Sequence, residues 1–181
     1  VARRRGQNLE AACAVPALLG VVAADGEAHV TLQAARALCG LINGHKANCS
    51  AAHAAGAVSV FVSLLTPRPE HPEPKAVSVL AARALSHLSA DDPAQANYVR
   101  LGGAVAQLVD GPLARCADEP EAAAWAAAAL AHIAAAGGAS RDALASGERV
   151  VESLVRILDF AVPWVAGMDS PRRTSQPTPI H

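Results

Sequence analysis

The side chains in this sequence that could do chemistry are few, and their spacing argues against most of it. His45, Cys49 and His53 recur every four residues, in the manner of a row of metal ligands. On one helix, however, the outer two stand eight rises apart, about 12 Å, too far to share an ion. All three are therefore read as incidental surface positions. Gly40-Leu41-Ile42-Asn43-Gly44-His45-Lys46-Ala47 has only the outline of a phosphate loop, since its second glycine is misplaced and no Ser or Thr follows the lysine. Neither an HExxH nor a GxSxG stretch occurs. Asp91 and Asp92 precede Pro93 and suit a helix start better than a catalytic pair. His29, His71 and His181 have no identifiable partner. No residue set argues for an enzyme, and none implies a cofactor or a metal.

The elements that would position such residues are all helical by composition. Of 181 residues, 52% are hydrophobic but only 3% aromatic, and alanine makes up about a quarter. Alanine is the best helix former, and small side chains let helices approach closely. The length suits one domain or one array of small units. A net charge of −1 gives no basic surface for nucleic acid. No run of 18 apolar residues suggests a membrane span, the stretch Ala122–Ala136 being too short and too weakly apolar. Cys13, Cys39, Cys49 and Cys116 form no CxxC pair, and a chain this apolar does not need disulfide staples. Reduced thiols in an intracellular protein, cytoplasmic or nuclear, are expected. The start at Val1, with no signal-peptide core after Arg3-Arg4-Arg5, suggests a piece of something longer, whose basic end over 1–6 is solvated.

Repetition is the main signal. HVTLQAARALCGLI (29–42), KAVSVLAARALSHL (75–88) and AAAWAAAALAHIAA (122–135) are three versions of one helix-length run. Leu38, Leu85 and Leu130 stand 47 and 45 residues apart; Cys13, Gly56, Gly103 and Gly147 stand 43, 47 and 44 apart. A period in the forties, with a short, a medium and a long helix in each unit, points to stacked helical repeats. The units fall at about 7–43, 44–90 and 91–138, with a partial one at 139–160.

In the first unit a short helix ends near Cys13, a second carries Val15, Leu18, Leu19 and Val22, and a third from about Glu27 to Ile42 turns Val30, Ala34, Ala37, Leu38 and Leu41 to one side. In the second, Asn48 caps a short helix, and Gly56-Ala57-Val58 leads into one carrying Phe61, Leu64 and Leu65. Thr66–Pro74 holds four prolines in eight residues and reads as an extended loop. In the third, Val99 precedes the Gly103 corner, and Leu108 and Val109 sit on a helix reaching toward Leu113. In the last, Ser140 caps, and Val150, Val151, Leu154, Val155, Ile157 and Leu158 form an amphipathic helix. From 161 to 181 the chain reads as a mostly disordered extension, Pro163-Trp164-Val165 folding back on the array and Ser170-Pro171 and Thr178-Pro179 having the form of phosphorylation sites.

Over 7–160 this pattern resembles the armadillo repeat family. Asn48, Ala52, Gly56-Ala57-Val58 and Ala84-Leu85-Ser86-His87-Leu88 follow the family's pattern closely; the other units follow it more loosely, with Cys13 in place of the corner glycine in the first. The resemblance implies an all-α fold, a right-handed α-α superhelical solenoid of three-helix repeats. It also implies a concave groove, lined by the long third helices, that holds extended peptides. The family's ladder asparagine corresponds to Gly40, His87 and His132. One turn earlier lie Arg36, Arg83 and Ala128, and two turns earlier Gln33, Leu80 and Trp125. The tryptophan-then-asparagine register that clamps basic nuclear signals is absent. Two arginines, two histidines and one tryptophan suit an acidic or phosphorylated, partly apolar protein segment instead, somewhat as in the catenin branch. The expected role is a protein-binding scaffold. The other readings are a regulatory or targeting region of a larger protein such as a ubiquitin ligase, and a structural spacer.

Overall fold

The computed structural model describes residues 14–24, 27–67, 73–90, 92–147 and 149–156. All regular structure among them is helical: α1 (Ala14–Ala23), α2 (Ala28–Ile42), α3 (Lys46–Ala54), α4 (Ala57–Leu64), α5 (Pro74–Ala90), α6 (Pro93–Leu101), α7 (Ala104–Leu108), α8 (Pro120–Ala135), α9 (Gly138–Ala145) and α10 (149–156). The helix ending near Cys13, the basic end, the centre of the proline-rich loop, Asp91, Ile157, Leu158 and everything after them lie outside the described residues.

The long helices set the order of packing. α5 rests on α2 along one flank and on α8 along the other, the α5–α8 seam being the more extensive. Small residues make that seam possible: Ala81, Ala82 and Ala84 on α5 and Ala122, Ala123, Ala126 and Ala129 on α8 are buried, with Leu85, Leu88, Leu130 and Ile133 filling between them. The apolar side chains form one continuous core that runs from Val15 on α1 to Val150 on α10.

Two corners recur. Gly56 and Gly103 both sit in the left-handed region, at φ 80° and 79°, immediately before α4 and α7. A side chain there would be strained, which is why glycine occupies both. At the first corner α3 and α4 meet at 84°. By contrast, Gly147 does not adopt a positive φ, and Cys13 lies outside the described residues.

Among the described residues no single helix is long and apolar enough to cross a membrane. The bent pair α3 and α4 has the composition for it, but Ala57, Val58, Phe61 and Leu64 are buried in the core.

Several local readings need correction. Asn48 does not cap α3; His45 does, its Nδ1 accepting from Asn48 N at 3.4 Å. The Asn48 side chain is instead buried, and its Nδ2 donates to Leu41 O at 2.7 Å while Cys49 Sγ donates to Ile42 O at 3.1 Å. The last carbonyls of α2 have no partner within their own helix, and these two side chains supply one. Nor are Cys49 and His53 surface positions: Cys49 is fully buried, and His53 is half-buried with Nε2 donating to Leu88 O at 3.0 Å. Ser140 is likewise not a cap but lies buried within α9.

On α2 the buried face is turned from the expected one. Val30 and Ala37 are exposed, whereas Thr31, Leu32, Ala35, Cys39 and Ile42 join Ala34 and Leu38 inside, because both α3 and α5 pack on that side. On α10 only Val150 turns into the core; Val151, Leu154 and Val155 are exposed. After α7 the chain widens into a π-helical turn, Val109–Leu113, closed by Ala114 N donating to Val109 O at 3.1 Å. Pro112 forces it, having no N–H to give and a ring that clashes with an α-helical turn.

The inserted turn also ties neighbouring segments together. Arg115 Nη2 donates to Leu65 O at the end of α4 (3.1 Å), and its Nε pairs with Glu119 Oε1 (3.0 Å). Asp92 caps α6, accepting from Ala94 N at 2.9 Å, with Pro93 in the first turn.

Candidate functional site

The candidate site lies on α2, α5 and α8, with α5 at its centre. Arg83 and His87 stand one turn apart on α5, so they share a face. Across the α5–α8 seam that face meets Trp125. The Arg83 guanidinium carbon lies 5.2 Å from the centre of the Trp125 ring, a cation–π contact. The His87 ring meets the same tryptophan edge-on, at 5.5 Å and 60°. A 3.4 Å hydrogen bond from Arg83 Nε to His87 Nε2 joins the two α5 side chains. Arg83, His87 and Trp125 are all half-buried, so the tryptophan keeps exposed surface while Arg83 is held on it.

Beside this trio is an open cleft of about 230 Å³ lined by Arg36, Ala76, Val79, Leu80, Arg83 and Glu121. Leu80 is 8% exposed, so it serves as floor. Below the floor, Cys39 Sγ donates to Leu80 O at 3.3 Å and fixes α2 against α5. Burial pushes the Cys39 thiol up to about 11, against a smaller downward pull from the Arg83 charge. This cysteine is a packing residue at neutral pH.

Arg36 differs from Arg83 in being loosely held. Its Nη2 is 3.9 Å from Glu73 Oε2, and the two side chains are 51% and 56% exposed. Such a pair contributes little and is easily exchanged for another anion.

The seven residues singled out by the sequence divide accordingly. Arg36, Leu80 and Arg83 line the cleft, and His87 and Trp125 join it through Arg83. His132 is half-buried further along α8, where its Nδ1 donates to Ser86 O at 3.1 Å and so braces the seam. Gln33 is exposed on α2 and does not line the cleft. Gly40 and Ala128 bring no functional group.

Two carboxylates were missed, Glu73 and Glu121. Glu121 could have been found by stepping one further turn back from Trp125 along α8. Glu73 precedes the first residue of α5, and its approach to Arg36 depends on where the proline-rich loop delivers the chain. Chemically, the site offers two guanidinium forks, an aromatic face and an apolar floor, bordered by carboxylates. Among the described residues no group of three or more His, Cys, Asp or Glu side chains could hold a metal ion.

Comparison with known proteins adds the fold and little else. No family model matches the chain, and no curated protein matches it. Among solved structures, the chain is similar to the crystal structure of an engineered protein, a Northeast Structural Genomics Consortium target, with a TM-score of 0.62 and 26% sequence identity. The match covers 77% of this chain and 50% of that one, so this chain spans about half the length of that structure.

Proposed function

We propose that the chain is a protein-binding module, an armadillo-type array of three-helix units forming a right-handed superhelical solenoid. In this reading the face made by α2, α5 and α8 holds an extended partner segment that is acidic or phosphorylated and partly apolar. The observation that carries it is Arg83 held on the Trp125 ring at 5.2 Å, beside a cleft whose other arginine, Arg36, is half exposed. A guanidinium fixed by stacking loses less freedom when it pairs with a carboxylate or phosphate, and the fork geometry adds direction. The aromatic surface and the Leu80 floor take apolar side chains. Support for the array comes from α5 packing between α2 and α8 and from the matched corners at Gly56 and Gly103. Buried thiols at Cys39 and Cys116 fit a reducing, intracellular setting. The role is binding without catalysis.

The carboxylates of Glu73 and Glu121 favour a second reading, a structural spacer whose arginines are already balanced. Fluorescence anisotropy with an alternating Glu/Leu peptide and its phosphoserine counterpart separates the two. Binding by the wild type that falls roughly tenfold or more in Arg36→Glu/Arg83→Glu protein supports docking. Undiminished affinity in that variant removes the proposed face, and failure of both proteins to bind favours the spacer.

A further inference from the structure

A second, larger cleft lies away from the α2–α5–α8 face, between the α6–α7 corner and α9 and α10. It holds about 480 Å³, a size common for small-molecule sites, and shares no lining residue with the cleft at Arg36 and Arg83. Its walls are aliphatic: Val105, Ala106 and Val109 on one side, Leu144 and Val150 on the other. Three charged side chains converge on the rim, Arg100, Asp110 and Arg149.

Those charges are not equivalent. Arg149 is committed to Asp110, its Nη2 lying 2.8 Å from Oδ1 and its Nη1 3.1 Å from Oδ2, a two-pronged pair in which each cancels the other. Arg100 is held differently. Its Nε and Nη2 both donate to Asn97 Oδ1, at 3.0 and 2.8 Å. An amide oxygen fixes the guanidinium without neutralising it, and the Nη1 edge has no partner among the described residues. Among the described residues, the arrangement is an oriented cation that no carboxylate pairs with, at the mouth of an aliphatic cleft.

We propose that this cleft binds a free small molecule with an aliphatic body and a single anionic head, the head on Arg100 and the body against Val105, Val109, Leu144 and Val150. One guanidinium without a carboxylate partner selects one carboxylate-like group, and walls that are aliphatic among the described residues select a flexible chain over a flat ring. The inference does not depend on what the α2–α5–α8 face binds.

The test is an amide-resolved NMR titration of the full chain with octanoate, using octanol as the uncharged probe and acetate as the tailless one. Saturable shifts at residues 100–110 and 143–151, with both control probes roughly tenfold weaker or worse, support the site. Arg100→Gln should weaken octanoate by roughly 10- to 100-fold, the effect of losing a charged hydrogen bond, and leave octanol unchanged. Ala106→Phe fills the cleft from an exposed position and should abolish binding while circular dichroism shows the fold retained. Octanol binding as tightly as octanoate, an Arg100→Gln protein with wild-type affinity, shifts centred on Arg83 and Trp125, or no saturable binding at all would each overturn the proposal.

Discussion

Gly102 and Val58 give a direct probe of how one segment of the molecule leans on the next. Gly102 closes α6 at φ −71°, a conformation any residue adopts, so alanine is free of backbone strain there. A methyl at this position would lie 2.6 Å from Val58 Cγ1, on a side chain that is 3% exposed on α4. Val58 is β-branched and packed on all sides, so it has no room to yield. Overpacking of this kind costs about 1–3 kcal/mol, offset by about 0.4–1 kcal/mol because alanine restricts the unfolded chain. Gly102→Ala should therefore destabilise by about 0.5–2 kcal/mol.

Val58→Ala alone removes two methyl groups and leaves a gap, at about 1.5–3 kcal/mol. In the double variant the new methyl occupies part of the space that Val58 vacates. The other neighbours of that methyl, Tyr98 O at 3.4 Å and Val99 O at 3.5 Å, are at ordinary contact. The double variant should then be more stable than the sum of the singles predicts by about 1 kcal/mol or more. Urea unfolding followed by helical circular dichroism reads this, with about 2–4 °C in Tm per kcal/mol as a check. Gly103→Ala is the control. At φ 79° it should cost about 1–2 kcal/mol through backbone strain, yet add independently to Val58→Ala because nothing lies within 4 Å of its Cβ. Gly102→Ala and Val58→Ala adding within about 0.5 kcal/mol would refute the contact between α4 and the α6–α7 corner.

Three further outcomes follow from individual groups. The hydrogen bond from Ala94 N, together with Lys46, holds the Asp92 carboxyl below its ordinary range. Its contribution to stability is therefore full above the unfolded value and lost as pH falls through the lowered folded one, so Asp92→Asn, which keeps a cap, should flatten the acid limb of a stability–pH curve. Cys39, with its thiol raised to about 11 and buried, should resist iodoacetamide at pH 8 in the native protein and react once urea exposes it. Arg115→Ala leaves the Glu119 carboxylate, whose side chain is 4% exposed, without its cation. That variant should lose about 3 kcal/mol or more in urea unfolding, whereas Arg115→Leu/Glu119→Leu should recover most of the loss.

How much of this could be read from the sequence depended on contrast along each helix. Leu85 and Leu130 announced their burial because they stand among small residues at a fixed spacing, and the turns at Gly56, Gly103 and Asp92-Pro93 carry local signals that tertiary packing did not override. Where alanine fills every face, periodicity says little about which side turns inward. On α2 the presence of α3 and α5 decided it, and Val30 and Ala37 were left outside. Asn48 and Ser140 have the composition of caps, yet both are buried; Asn48 serves the end of the neighbouring α2 instead of its own helix. The π turn needed Pro112 to be weighed against the helix running into it.

The candidate site was legible as a register and not as a cluster. Arg36, Arg83 and Trp125 follow from counting turns along three helices. That Arg83 reaches Trp125 rather than an equivalent position depends on the close α5–α8 approach, which only the facing alanines decide. Glu73 and Glu121 change the charge of the site; Glu121 lies one turn beyond the register positions considered, and Glu73 lies outside the repeated helix altogether.

The central claim is that the α2–α5–α8 face receives an acidic segment at Arg83 and Trp125. Trp125 itself can report it, since the chain has two tryptophans and Trp164→Phe leaves Trp125 as the only one, read by excitation that spares Tyr98. Titrating that protein with the alternating Glu/Leu peptide should change Trp125 emission with the same midpoint as anisotropy, and Arg83→Glu should remove both responses. An emission that stays constant while anisotropy shows the peptide fully bound would place the partner elsewhere and contradict the account.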